Sequence, residues 1–174
     1  AGGIIGCCYN AATKISNCEV NVTINSSRNG DGSHGGIVGI VNNSSPSNAL
    51  TIENCLFNGQ FKTTNSTTDW GGFIGAGQYY SDVSQYHYIT IKNSVFAPQS
   101  LNDITMGDTF SRSGQNLTLS NCYYTESLST PQGENAQNTE AATIVQNLGE
   151  EWVVHLSGKN YHLKKFKGDY YYKA

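Results

Sequence analysis

Charged side chains are scarce in this sequence: Lys, Arg, Asp and Glu make up 13% of the 174 residues, about half the usual share. Ten basic residues against 13 acidic ones give a formal net charge of −3. That balance provides no general attraction to nucleic acid or to an anionic membrane, so neither is expected as a partner. No run of about 18 apolar residues occurs, which excludes a membrane-spanning helix, and no basic-then-apolar leader opens the sequence. The five cysteines, Cys7, Cys8, Cys18, Cys55 and Cys122, are odd in number and include no C-x-x-C pair. Neither a disulfide framework nor a zinc site is signalled, and the thiols are expected to be reduced. His34, His87, His155 and His162 share no ligand spacing, so no metal or cofactor is expected.

What is abundant is small and polar. Nineteen Gly and 11 Tyr stand beside many Asn, Ser and Thr, the profile of a β-rich extracellular protein. Asn-x-Ser/Thr triplets follow from this composition and carry little information. The chain opens with Ala1-Gly2-Gly3-Ile4, inside a repeat, and reads as a mature piece of a larger repeat protein.

The repeat organises residues 1–124. Its first half is a glycine-framed apolar strand: GGIIG at 2–6, GGIVG at 35–39, GGFIG at 71–75 and a degenerate DTFSRSG at 108–114. Its second half is KISNCEV at 14–20, TIENCLF at 51–57, TIKNSVF at 90–96 and TLSNCYY at 118–124. The central asparagines, Asn17, Asn54, Asn93 and Asn121, are 37, 39 and 28 residues apart. Variable loops between conserved strands account for so loose a period.

Alternation places Ile15, Ile52, Ile91 and Leu119 inside and Ser16, Glu53, Lys92 and Ser120 outside. After each asparagine the phase shifts: the small Cys18, Cys55, Ser94 and Cys122 and the large Val20, Phe57, Phe96 and Tyr124 both read as interior. An asparagine in the left-handed conformation would bend the chain and produce that shift. The Gly-Gly pairs fit a second corner, through positive φ or close backbone approach. Stacked at about 4.8 Å, such repeats form a right-handed parallel β-helix (solenoid) of about four coils, all-β in class. The four asparagines would stack along one corner, and Glu53 would meet Lys92 across neighbouring outer strands.

Beyond Tyr124 the pattern dissolves. Residues 125–137 read as a polar linker or surface loop, 138–148 as a short helix ending at Gly149, and Trp152 to Leu163 as a small hairpin. Together 125–174 is read as a C-terminal cap belonging to the same domain, covering the end of the array. The basic final stretch, Lys164, Lys165, Lys167 and Lys173, reads as a solvated tail.

The GG-[IVF]-[IV]-G strand followed by I-x-N-C-x-[VF] resembles the GLUG repeat of bacterial surface proteins over about residues 1–124. NLGEEWVVHLSGKNYHLKKF at 147–166 is similar to the block that often closes such arrays. The resemblance implies a β-solenoid with a structural and adhesive role at the cell surface or outside the cell, and it brings no catalytic residue. The fourth copy lacks the Gly-Gly pair, which weakens the pattern there.

Parallel β-helices also house polysaccharide lyases and glycoside hydrolases, whose chemistry needs clustered carboxylates on one face. The outward column offers only Glu53, with Lys92 beside it, and Asp31, Asp69, Asp82, Asp103 and Asp108 have no paired spacing. No catalytic residue is expected, and a fragment of such an enzyme is the alternative reading. A ligand site is expected instead from Trp70 and the insert at 76–88, where Tyr79, Tyr80, Asp82, Tyr86 and Tyr88 concentrate rings beside polar groups. The ligand would be a glycan or a host surface protein.

Overall fold

A computed structural model describes residues 1–27, 34–64, 70–77, 87–102, 104, 106–112, 116–154 and 160–167. The chain is mostly β, and its sheets are mainly parallel. In chain order the strands are β1 (Ile5–Tyr9), β2 (Thr13–Val20), β3 (Thr23–Ser26), β4 (His34–Gly35), β5 (Val38–Asn42), β6 (Leu50–Phe57) and β7 (Gln60–Thr63). Then come β8 (Trp70–Gly71), β9 (Ile74–Gly77), β10 (Ile89–Phe96), β11 (Leu117–Tyr124) and β12 (Glu134–Asn135). Helix α1 (Ala141–Leu148), the hairpin β13 (Trp152–Val154) and β14 (Tyr161–Leu163), and α2 (Lys164–Lys167) close the chain.

The largest sheet has the order β12-β11-β10-β6-β2, all parallel. Its four long strands align residue for residue: Ile15, Ile52, Ile91 and Leu119 are partners, as are Val20, Phe57, Phe96 and Tyr124. The glycine-framed segments form a second parallel sheet, β1-β5-β9. A glycine-framed segment and the long strand that follows it make one row, and four rows follow one another along the chain.

The phase shift has a backbone cause. Asn17, Asn54, Asn93 and Asn121 have φ of 56°, 50°, 49° and 49°, in the left-handed region that asparagine tolerates better than most residues. Asn121 Nδ2 donates to Asn93 Oδ1 at 3.0 Å. The kink turns the next side chain inward, and that side chain has a task the sequence pattern did not reveal. Cys18, Cys55, Ser94 and Cys122 each donate to the carbonyl two residues back, at 3.3, 3.3, 2.8 and 3.4 Å. A thiol or a hydroxyl serves equally, which explains why Cys and Ser exchange in this column.

The Gly-Gly corners act through close approach, not through positive φ; no glycine of these pairs has one. A Cβ on Gly71 would lie 1.7 Å from Ile74 O, and one on Gly72 would lie 1.8 Å from Thr109 O. Only hydrogen fits where the chain turns against itself and against the next row.

Interior aromatic rings stack along the rows. Phe57 lies 5.6 Å from Phe96 and 4.8 Å from Phe61, and Phe61 lies 4.9 Å from Trp70, centroid to centroid.

The C-terminal region is arranged differently from the expectation of an end cover alone. Ala136, Ile144, Val145, Leu148, Trp152, Val154, Tyr161 and Leu163 form a second core with Leu56, Val95 and Tyr123. Those last three point away from the first core, so α1 and the hairpin lie on the outer face of the large sheet. The mostly apolar side chains at the second position after three of the four kinks, Leu56, Val95 and Tyr123, are the reason: they need a cover. The helix is shorter than the expected 138–148, because Ala136–Asn138 forms a separate 3-10 turn capped by Asn135 Oδ1.

Residues 125–137 do more than link. Leu128 is buried, Thr130 O accepts from Thr109 N at 3.0 Å, and β12 pairs with the end of β11. This stretch lies over the fourth row.

Candidate functional site

The second sheet shows one contact made four times. Two successive N–H groups of a row converge on one oxygen of the next: Ile4 and Ile5 on Ile37 O, Ile37 and Val38 on Phe73 O, Phe73 and Ile74 on Phe110 O, at 2.8 to 3.1 Å. Phe110 and Ser111 repeat it, but the acceptor is the side-chain Oε1 of Gln132, at 2.9 and 2.7 Å. Gln132 Nε2 donates back to Ser111 O at 3.0 Å. The amide thus stands where the next row's peptide would be, and it ends the sheet with its hydrogen bonds made. Nothing in the local sequence Pro131-Gln132-Gly133 singles this residue out.

The insert that carries the expected ligand residues leaves β9 and returns at His87. Its return point is clamped by Asn43, which is fully buried. Asn43 Oδ1 accepts from Tyr88 N at 2.8 Å, its Nδ2 donates to Tyr88 O at 3.0 Å, and its backbone N–H donates to His87 Nδ1 at 3.4 Å. A two-point amide clamp fixes position and direction together. Neither Asn43 nor His87 was a candidate in the sequence, because Asn43 sits in a run of small polar residues with no periodicity.

Of the expected ligand residues, Tyr88 is half-buried above that clamp. Tyr79, Tyr80, Asp82 and Tyr86 lie outside the described residues. Trp70 requires correction as a ligand-facing ring: it is 0% exposed, packed between His34 and Phe61, with ring centroids at 4.7 and 4.9 Å. Trp70 opens β8 in register with His34 of β4, which sets its ring in the interior column beside His34 and Phe61. His34 is itself buried, and its Nδ1 lies 3.4 Å from the N-terminal amine.

Two carboxylates of the large sheet, Glu53 and Glu19, are engaged structurally. Glu53 receives Lys14 Nζ at 2.8 Å and Lys92 Nζ at 3.0 Å, and these hydrogen bonds hold its carboxyl below the usual range. The Glu53–Lys92 pair read from the sequence is present, joined by Lys14. Glu19 accepts from Leu163 N at 2.6 Å and lies 3.2 Å from His162 Nδ1, tying the hairpin to β2. Burial pushes the Cys55 and Cys122 thiols up to about 12, far from the thiolate that a nucleophile needs. All five cysteines are free. Among the described residues no group of three or more His, Cys, Asp or Glu is placed to hold a metal ion, and no helix is long and apolar enough to cross a membrane.

Comparison of the chain with protein-family models, curated proteins and solved structures finds no match.

Proposed function

We propose that the chain is a piece of a right-handed parallel β-solenoid, a structural and adhesive module of a secreted or cell-surface bacterial protein related to GLUG-repeat proteins. The observation that carries this reading is the contact of two N–H groups on one oxygen, which joins three rows each to the next and recurs a fourth time on Gln132 in constant geometry. Stacking of this kind extends by addition of like units, which suits a protein whose task is reach and rigidity. The right hand follows from the general rule for crossovers between parallel strands of one sheet. The sequence pattern GG-[IVF]-[IV]-G with I-x-N-C supports the kinship. The enzyme alternative has no specific observation in its favour, since Glu53 and Glu19 are spent on lysines and on the hairpin.

Contact with a glycan or host surface protein falls to the insert, through Tyr79, Tyr80, Asp82, Tyr86 and Tyr88, with Trp70 removed from the set by its burial. The Asn43 clamp gives that insert a fixed base. The test is a binding screen of the immobilised protein against glycans and host matrix proteins, run beside the Tyr80→Ala, Tyr86→Ala double variant. Binding lost in the variant at unchanged melting temperature supports the reading. A variant that binds normally but melts clearly lower assigns those rings to structure and ends it.

A further inference from the structure

At the other end of the long strands from the insert, the chain leaves β6, β10 and β11 through Asn58, Ala97-Pro98-Gln99 and Thr125. The C-terminal hairpin rises beside these exits, and a groove of about 490 Å³ lies between them. Its walls carry four side-chain amides, Asn58, Gln99, Gln137 and Asn160, and the Thr125 hydroxyl, over a small apolar floor at Ala97 and Pro98. Gln99, Gln137 and Asn160 are exposed, while Asn58, Pro98 and Thr125 are half-buried.

We infer that this groove binds a neutral carbohydrate chain. The chemistry of the lining narrows the class. Among the described residues it has no Lys, Arg, Asp or Glu, and its one titratable ring beside Tyr161, His162, is held against Glu19. Among the described residues an anionic ligand would find no counter-charge, and a cationic one no carboxylate. Primary amides pair a donor with an acceptor at fixed spacing, which matches vicinal hydroxyls of a sugar. The volume falls within the range of small-ligand sites and suits a few sugar rings. Asn58 Oδ1 is buried with no hydrogen-bond partner in the protein, so the amide at the groove wall is not committed to a neighbour and can turn to present either end. An extended peptide fits less well, because the groove has no apolar pocket for a side chain. With no exposed ring to stack on, since Tyr161 is buried, affinity should be modest and hydroxyl-directed. This site is independent of the insert and of whether the rows belong to a longer solenoid.

The test is titration of the ¹⁵N-labelled full chain, followed by amide resonances, with maltotriose, cellotriose, mannotriose and chitotriose. Trigalacturonate serves as the anionic control and a set of extended octapeptides as the protein-like control. The expected result is saturable shifts of the Asn58, Gln99, Gln137 and Asn160 side-chain amides with at least one neutral trisaccharide and none with trigalacturonate. Gln137→Ala with Asn160→Ala, both at exposed positions, should weaken that binding at least tenfold at unchanged melting temperature, while Tyr80→Ala with Tyr86→Ala leaves it intact. Three results overturn the inference: no groove response to any saccharide at about 10 mM, beyond the range of weak specific affinity; groove shifts with octapeptides alone; or saccharide binding that the groove variant keeps and the tyrosine variant loses. The last would move the ligand to the insert and leave the adhesive reading standing.

Discussion

The two edges of the stacked sheets are finished in opposite ways. Beyond the fourth row the chain turns back over itself: Gln132 closes the hydrogen bonds of Phe110 and Ser111, Thr130 O receives Thr109 N, and β12 pairs with β11. Before the first row there is no such device among the described residues. Strands β1 and β2 are the outer members of their sheets, Ile4 and Tyr9 are 44% and 63% exposed, and a groove of about 630 Å³ runs along Gly3, Ile4 and Ser16 to Val22. A bare strand edge is a template for another strand. One side chain can remove that template where it supplies both a carbonyl and an N–H, as Gln132 does. The contrast teaches that a parallel sheet edge can be closed by one side-chain amide, while among the described residues the opposite edge keeps its backbone groups open to solvent or to another strand.

The severest way to break the rows is to fill the glycine corner. Gly71→Ala puts a methyl 1.7 Å from Ile74 O, against backbone that cannot yield, and should cost about 4 kcal/mol or more, enough to unfold a marginal domain. Thermal denaturation followed by circular dichroism measures it.

Gln132→Ala removes the closed edge while leaving the open one untouched. Two buried N–H groups then lose their acceptor, for a loss of about 2 to 6 kcal/mol at roughly 1 to 3 per unsatisfied group. Chemical denaturation should show a lower midpoint, and light scattering should show new self-association at the uncovered edge. A variant that keeps both its midpoint and its monodispersity would erase the contrast between the edges.

The column after the asparagines sharpens the comparison within rows. Cys122→Ser retains a donor to Ser120 O and should change stability by less than about 1 kcal/mol, with Ser94 as the natural precedent in this column. Cys122→Ala leaves that carbonyl without its donor and should be the worse of the two in a urea titration. Equal midpoints would mean that the column is chosen for size alone.

The Lys14–Glu53–Lys92 group should matter least, because both lysines are 41% or more exposed and surface pairs are screened. Glu53 has a lowered pKa in the fold. Its contribution is therefore complete above the ordinary carboxylate value and fades as pH falls through that value and below it. The difference in melting temperature between the native chain and Glu53→Gln should shrink over that acid range and shrink again in high salt. A difference that grows toward acid pH would refute the linkage.

Much of the row architecture was legible because it rests on local rules. Alternation fixed which of Ile15, Ile52, Ile91 and Leu119 align, and a phase break at asparagine pointed to a left-handed residue. What escaped were contacts distant in sequence. Gln132 acts on residues some 20 positions earlier, and Asn43 holds Tyr88 across 45; neither leaves a periodic trace. Trp70 was misplaced because an aromatic next to a polar, tyrosine-rich insert looks exposed, whereas its pairing with His34, 36 residues earlier, carries it into the core. The outer position of α1 and the hairpin was hidden because Leu56, Val95 and Tyr123 lie next to the inward column and read as ordinary variation.

Amide hydrogen exchange of the native chain, resolved by residue, tests the closed edge most directly. If Gln132 Oε1 replaces a row, the Phe110 and Ser111 amides should be protected to within about tenfold of Phe73 and Ile74, which face a true backbone carbonyl, a difference of roughly 1.4 kcal/mol in opening free energy. Exchange of Phe110 and Ser111 at the rate of exposed amides, with Phe73 and Ile74 still protected, would show that Gln132 does not close this edge and would contradict the account.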